Sequence, residues 1–320
     1  MLRAGISLVF LALLYWMVRE DIPVILQTLR NMNHLLAAAA TLIFLLAVGI
    51  MAFRLSLIFG VKGAPITFAE ACNLTFVGYF FNNFLPTSVG GDIVKAMCAA
   101  RVTKNTVVSV TSVLMDRIFG LFTFILIPSF SLLFFMRDIG NRWVPTIVYG
   151  LLAASLLCFF LIFNRSVARK FRFIEQILNY FKLGKKFREV YNGLNDFKNH
   201  KQAVLIAMGL SVAGQSVSIL VLYLMARALG SDTHLIYFFL LVPVVHLVSM
   251  LPSLNGLGIR EGAYTYFLAP YMGRENAFAL GILWLGLLIL LSLIGGLIYL
   301  IRHDYHIRFK GAVPLTEAEA

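Results

Sequence analysis

Six charged residues stand in stretches of chain that are otherwise apolar: Asp92 and Lys95, Asp116 and Arg117, Arg260 and Glu261. An Arg, Lys or Asp at the centre of a bilayer costs about 2.5–3.5 kcal/mol even on insertion scales. Unpaired, the six would together cost roughly 15–20 kcal/mol, more than a typical net folding stability. They must be paired or wetted, and either solution makes a polar site inside an apolar protein. Asp92 and Lys95 are three residues apart and can pair on one helix. Asp116 and Arg117 are neighbours that point about 100° apart, so each needs a partner on another segment, and the same holds for Arg260 and Glu261. Cross-pairing of Asp116 with Arg260 and of Arg117 with Glu261 is the expected solution. At this level the network either surrounds a ligand or only holds a bundle together.

Four of the six lie in two related stretches. Leu85–Ala96 reads LPTSVGGDIVKA, and Leu251–Gly262 reads LPSLNGLGIREG. Each follows an apolar run and interrupts it with Pro and Gly. A helix broken in lipid leaves N–H and C=O groups that cost several kcal/mol each unless protein or water satisfies them. The break also places a helix N-terminus, with free N–H groups and a positive dipole end, where an anion can sit. Thr87, Ser88, Gly90 and Gly91 stand at the start of the first returning helix, and Ser253, Asn255, Gly256 and Gly258 at the start of the second. They suit a phosphate or carboxylate; plain capping of the helix uses the same residue types. Asn82, Asn83 and Gln215 are either helix–helix hydrogen bonds or cavity lining. His246 reads as a core histidine or a proton shuttle, and Arg54 and Arg227 as snorkelling side chains near span ends.

The elements that position these residues follow from composition. Of 320 residues 60% are hydrophobic and 13% charged, and the mean hydropathy is +0.86. That is too little charge to cover a soluble protein, so the bilayer is the solvent. The expected architecture is an all-α polytopic membrane protein in a single domain. Segments 4–18, 35–60, 105–136, 143–163, 202–229 and 276–301 are long enough, or nearly so, to span, and the first reads as a retained span rather than a cleaved signal. Regions 67–100 and 235–270 read as re-entrant pairs of broken helices, with a proline-kinked span as the alternative. Their second pieces, 89–100 and 258–270, are too short to cross about 30 Å of hydrocarbon.

Charge sets the sides. The loop 164–201 carries ten Lys/Arg; taken as cytoplasmic, it places 17 basic residues inside and five outside, with both termini in the cytoplasm. Phe171, Phe173, Ile174, Leu178 and Phe181 in that loop allow a surface helix on anionic headgroups, or a plain solvated loop. With this topology, repeat 1 (about 35–136) and repeat 2 (about 202–301) are inverted copies, followed by a tail at 302–320. Inverted repeats with discontinuous helices are an architecture of secondary transporters, whose sites lie near the midplane.

The net charge of +12 does not indicate nucleic acid, because the basic residues sit in loops between apolar runs. Cys72, Cys98 and Cys158 fit no disulfide or metal frame and read as small core residues. No phosphate-binding loop, zinc-protease motif or nucleophile elbow occurs, so neither enzyme chemistry nor a cofactor is expected.

NNFLPTSVGGDIVKA, VLMDRIFGL and LPSLNGLGIREGAY, in that order, resemble the lysylphosphatidylglycerol synthase transmembrane family, the flippase-like region that also occurs as stand-alone membrane proteins. The resemblance covers essentially the whole chain. It implies translocation of a lipid with an anionic phosphate headgroup between leaflets of the bacterial inner membrane. The alternative it leaves is a non-transporting partner of a cell-envelope glycosyltransferase or lipid synthase. It puts the family's motif elements on Asn82, Leu85, Pro86, Gly90, Gly91 and Asp92, on Asp116 and Arg117, and on Gly258, Arg260 and Glu261. Lys95 stands where such proteins often have Arg, keeping the charge but not a bidentate phosphate grip. Only 19 residues follow the last span, so the soluble aminoacyl-transferase domain of bifunctional members is not expected.

Overall fold

The computed structural model describes residues 22–84, 89–135, 143–163, 184–250 and 256–305, and these are helical throughout apart from short turns. The helices are α1 (Ile22–Asn31), α2 (His34–Val61), α3 (Phe68–Phe84), α4 (Gly90–Thr103), α5 (Thr106–Phe135), α6 (Trp143–Phe163), α7 (Gly184–Asp196), α8 (Lys201–Ala228), α9 (Leu235–Val248), α10 (Ile259–Met272) and α11 (Arg274–Ile301). Four of them, α2, α5, α8 and α11, are long and apolar enough to cross a membrane. They fall on the predicted spans, and α6 on the predicted 143–163 segment. The expected span 4–18 lies outside the described residues.

Regions 67–100 and 235–270 each hold two helices, with no helix running through. α3 and α4 lie side by side: Asn82 Oδ1 accepts a hydrogen bond from the Gly91 N–H at 2.9 Å, and a Cβ placed on Gly78 would touch Lys95 at 3.6 Å. A continuous helix would hold residues 78 and 95 about 25 Å apart. α9 and α10 fold back in the same way, bringing His246 Nε2 to 3.2 Å from the Tyr264 hydroxyl. None of these four helices exceeds 17 residues, so none reaches much beyond about 25 Å.

The packing pairs correspond between the halves. α2 lies against α8. α3 packs on α11 as α9 packs on α5, and α4 packs on α5 as α10 packs on α11. Two glycines permit the closest approaches. A Cβ at Gly91 would sit 2.2 Å from the Gly78 carbonyl oxygen, and one at Gly295 would sit 1.9 Å from the Phe76 carbonyl oxygen. Both obstacles are backbone, so the helices themselves would have to separate. Gly295→Ala is expected to cost about 1–3 kcal/mol, read as a lower unfolding midpoint of the detergent-solubilised protein, by forcing α11 off α3.

The largest apolar cluster joins α1, α2, α5, α6, α8, α9, α10 and α11 and includes the buried Trp284, Tyr264 and Phe238. A second joins α2, α3, α4 and α5 to Tyr305, which follows the last helix. There Arg302 Nη2 donates to Glu70 Oε2 at 2.5 Å, and the Tyr305 hydroxyl donates to the other oxygen of the same carboxylate. Of the basic loop 164–201, residues 184–201 are described. Leu194 and Phe197 pack against Ile58, Met115 and Phe119, and Lys62 Nζ donates to the Gly193 carbonyl at 3.1 Å. This part of the loop is therefore docked on the bundle. The residues named for a surface helix, 171–181, lie outside the described part of the chain.

Candidate functional site

The embedded charges gather on α2, α4 and α5. Asp116, on α5, is buried and receives two cations. Arg54 Nε donates to Asp116 Oδ1 at 2.8 Å, and Lys95 Nζ donates to Oδ2 at 3.1 Å. Arg54 Nη1 reaches on to Ser211 Oγ at 2.7 Å, tying α2 to α8. One turn of α4 before Lys95, Asp92 meets Arg117 Nη1 at 3.3 Å. That second pair is looser. Asp92 Oδ2 is buried but accepts no hydrogen bond, and the Arg117 side chain, 28% exposed, is the most open cation of the group.

The expected pairings are corrected here. Neither Asp116–Arg260 nor Arg117–Glu261 forms, because Asp116 is occupied by Arg54 and Lys95, while Glu261 takes its own neighbour. Arg260 Nε and Nη2 donate to Glu261 Oε1 at 3.1 and 2.9 Å. Two adjacent side chains point apart at Cβ, but a long guanidinium can fold back where burial rewards it. Asp92 and Lys95 are also not a pair; each finds its partner on α5. Arg54 does not snorkel: it is buried in the ion cluster, whereas Arg227 does reach an exposed partner, Asp232.

These charges line one end of a cavity of about 260 Å³. Asn82, Asp92, Lys95, Asp116 and Arg117 all face it, together with Arg54, Tyr79 and Thr75. Its other end is aromatic. Trp284 stacks on His246 with ring centroids 5.7 Å apart, and Phe44 and Phe124 meet that pair edge-on, at 5.0 Å from Trp284 and 5.4 Å from His246. Gln215 Nε2 lies 3.5 Å from His246 Nδ1. Arg260, Glu261, Gly256, Gly90 and Gly91 do not line this cavity.

The helix starts behave as caps. The Gly91 N–H is taken by Asn82, and the Gly258 N–H donates to Glu261 Oε2 at 2.7 Å. Gly256 and Gly258 hold positive φ, 75° and 81°, in the turn before α10. Two of the N–H groups expected to face an anion, those of Gly91 and Gly258, are thus satisfied within the protein, and the side-chain cations are what the cavity presents. Thr87, Ser88, Ser253 and Asn255 lie outside the described residues. Among the described residues, no grouping of His, Cys, Asp and Glu suits a metal ion, and Cys72 and Cys98 are free thiols.

The sequence left Arg54 and Ser211 out of the site and did not single out Tyr79 or Trp284. One signal pointed at Arg54: an arginine two turns inside a span, opposite a polar Ser211 on the corresponding span.

A family model described as "Lysylphosphatidylglycerol synthase TM region" matches residues 2–296. The chain belongs to this family. Membership in the lysylphosphatidylglycerol synthase TM region family confirms the resemblance carried by the three motifs, two of which supply Asp92, Lys95, Asp116 and Arg117 to the cavity. The chain is a polytopic integral membrane protein of that family. No curated protein and no solved structure matches it.

Proposed function

We propose that the chain moves a lipid with an anionic phosphate headgroup between the leaflets of the cell membrane, with the cavity between α2, α3, α5 and α8 as the headgroup site. The carrying observation is the cation-rich lining of that cavity inside a bundle of apolar helices: Arg54, Lys95 and Arg117 against Asp92 and Asp116. Buried charge on this scale is costly, and a cavity that admits a counter-charge relieves it. Arg117 is the phosphate contact, being the most exposed cation and held by the loosest pair; Asp116 orients Arg54 and Lys95.

In this reading the paired packing of the two halves reflects an inverted repeat, and the hairpins α3–α4 and α9–α10 are re-entrant from opposite sides. The excess of Lys and Arg in 164–201 then places both termini in the cytoplasm. Arg260 and Glu261 belong to the counterpart hairpin, on the same helix as Tyr264, whose hydroxyl lies 3.2 Å from His246 Nε2 in the aromatic wall.

Proteoliposomes carrying a headgroup-labelled anionic phospholipid test this. Arg117→Ala is expected to slow headgroup translocation at least about tenfold, the loss of one charge-assisted contact to phosphate. Equal rates in wild type and variant would remove the site assignment. No movement by the wild-type protein, together with co-purification of an envelope glycosyltransferase or lipid synthase, would favour a non-transporting partner instead.

A further inference from the structure

We propose that residues 302–305 are a latch that holds α4 against α3 and the end of α11, and that α4 is the gate of the cavity: release of the latch lets it swing outward with Asp92 and Lys95. The consequence for translocation rests on the reading of the cavity as a headgroup site; the latch itself does not.

The latch is a turn that reaches both arms of one hairpin. Just past α11 the chain folds back, with the Tyr305 N–H donating to the Arg302 carbonyl at 3.0 Å. Tyr305 is fully buried although it lies beyond the last spanning helix. On α3 its hydroxyl donates to Glu70, in the first turn, and the other oxygen of that carboxylate takes Arg302. On α4 the Cys98 thiol donates to the Tyr305 carbonyl at 3.7 Å, and Ala99 belongs to the same apolar cluster as Tyr305. The Arg302 guanidinium lies over the Tyr305 ring, 5.2 Å from its centroid, so the turn is braced on itself.

Its contacts are of a kind that can let go. The Arg302 side chain is 39% exposed, so its pair with Glu70 is readily exchanged for water. Arg302 Nε is buried with no acceptor among the described residues, and opening would let water satisfy it.

α4 is the arm with least to lose by moving. Its buried apolar side chains are small, Val94, Ala96, Cys98 and Ala99, and Ile93, Met97 and Val102 on it are exposed. The cost of parting two helices grows with the apolar area uncovered. The counterpart helix α10 buries Ile259, Tyr264, Leu268 and Met272, so it is held much harder. α3 is fixed as well, since its backbone at Phe76 leaves no room for a Cβ on Gly295 of α11. Toward the cavity, α4 is tied to α5 by Lys95–Asp116 and Asp92–Arg117, ion pairs that an entering anion can exchange. Both α4 carriers of charge, Asp92 and Lys95, line the cavity. Outward movement of this one helix therefore unseats two lining residues at once.

Cys98 is itself the reporter. In a Cys72→Ser/Cys158→Ser background of the full chain in detergent, its alkylation by a water-soluble maleimide is followed by mass. Tyr305→Phe keeps the ring and removes the donor to Glu70. Alkylation is expected to speed up about tenfold, the size of one charge-assisted hydrogen bond. Glu70→Gln keeps an acceptor for the phenol without the charge and should give a smaller rise; it also serves if the Tyr305 variant fails to fold. The control is Ala277→Cys with Cys98→Ser, a site buried as fully as Cys98 but at the far end of α11. Its rate should not change. Equal acceleration of both thiols would mean that the substitution only destabilises the fold, and a Cys98 rate within twofold of wild type would mean that nothing holds α4 there; either result overturns the latch. In proteoliposomes with a headgroup-labelled anionic phospholipid, Tyr305→Phe should translocate several-fold faster than wild type. An unchanged translocation rate beside faster Cys98 alkylation would overturn α4 as the gate. No translocation by the wild type, with Cys98 accelerated as expected, would remove the headgroup site and leave the latch standing.

Discussion

Asp116→Ala is expected to destabilise the protein by about 3–5 kcal/mol, the cost of leaving a buried charge without its partner. The carboxylate is the hub of the ion cluster: it takes Arg54 at 2.8 Å and Lys95 at 3.1 Å from two different helices. Its removal leaves two cations facing each other in an apolar bundle, with Ser211 the remaining described contact of Arg54. Lys95→Met gives the contrast. It leaves Asp116 neutralised by Arg54 and its own stem replaced by one of similar size, so a loss of about 1–3 kcal/mol is expected. Unfolding midpoints of the two purified variants decide the matter. Equal midpoints would mean that water, rather than Asp116, solvates the cations, and the cavity would then be far wetter than its buried carboxylate indicates.

Glu261→Ala should rank beside it, at about 3–5 kcal/mol, although Glu261 lies outside the cavity. Its side chain is 2% exposed and performs two tasks, neutralising Arg260 and accepting the Gly258 N–H at the start of α10. A Cβ on Gly281 of α11 would already press on Glu261 at 3.3 Å, so the cavity left by truncation is walled by backbone and cannot easily collapse. Glu261→Gln separates the two tasks, because its amide oxygen still caps Gly258 while the charge is gone. The expected loss is intermediate. A Gln variant as unstable as the Ala variant would assign the whole effect to the ion pair; two wild-type midpoints would take Glu261 out of the architecture altogether.

Translocation in these variants follows from the same contacts. A defect in Arg117→Ala with an unchanged midpoint locates Arg117 at the ligand, whereas Asp116→Ala loses rate and stability together because it orients Arg54 and Lys95.

The sequence by itself determined the class of the protein and where its polarity lies. Low charge and long apolar runs dictate spanning helices, since a backbone in lipid must satisfy its own hydrogen bonds, and α2, α5, α8 and α11 fall where hydropathy puts them. The two Leu-Pro breaks and the short stretches beyond them predicted helix pairs too short to cross, and α3, α4, α9 and α10 have those lengths. The embedded charges also announced that partners must exist. Which partners was decided only by the tertiary structure. Spacing along a helix fixes the direction of a Cβ, but not which of several cations 21 to 62 residues away packs against it, nor how a long guanidinium bends. So Arg54, placed by sequence at a membrane interface, stands buried beside Asp116, and Arg260 folds back on its neighbour. The cavity is likewise tertiary. It needs α2, α5, α8 and α11 to meet around α3, and no local pattern records that Phe44, Phe124, His246 and Trp284 converge at one end of a space whose other end is ionic.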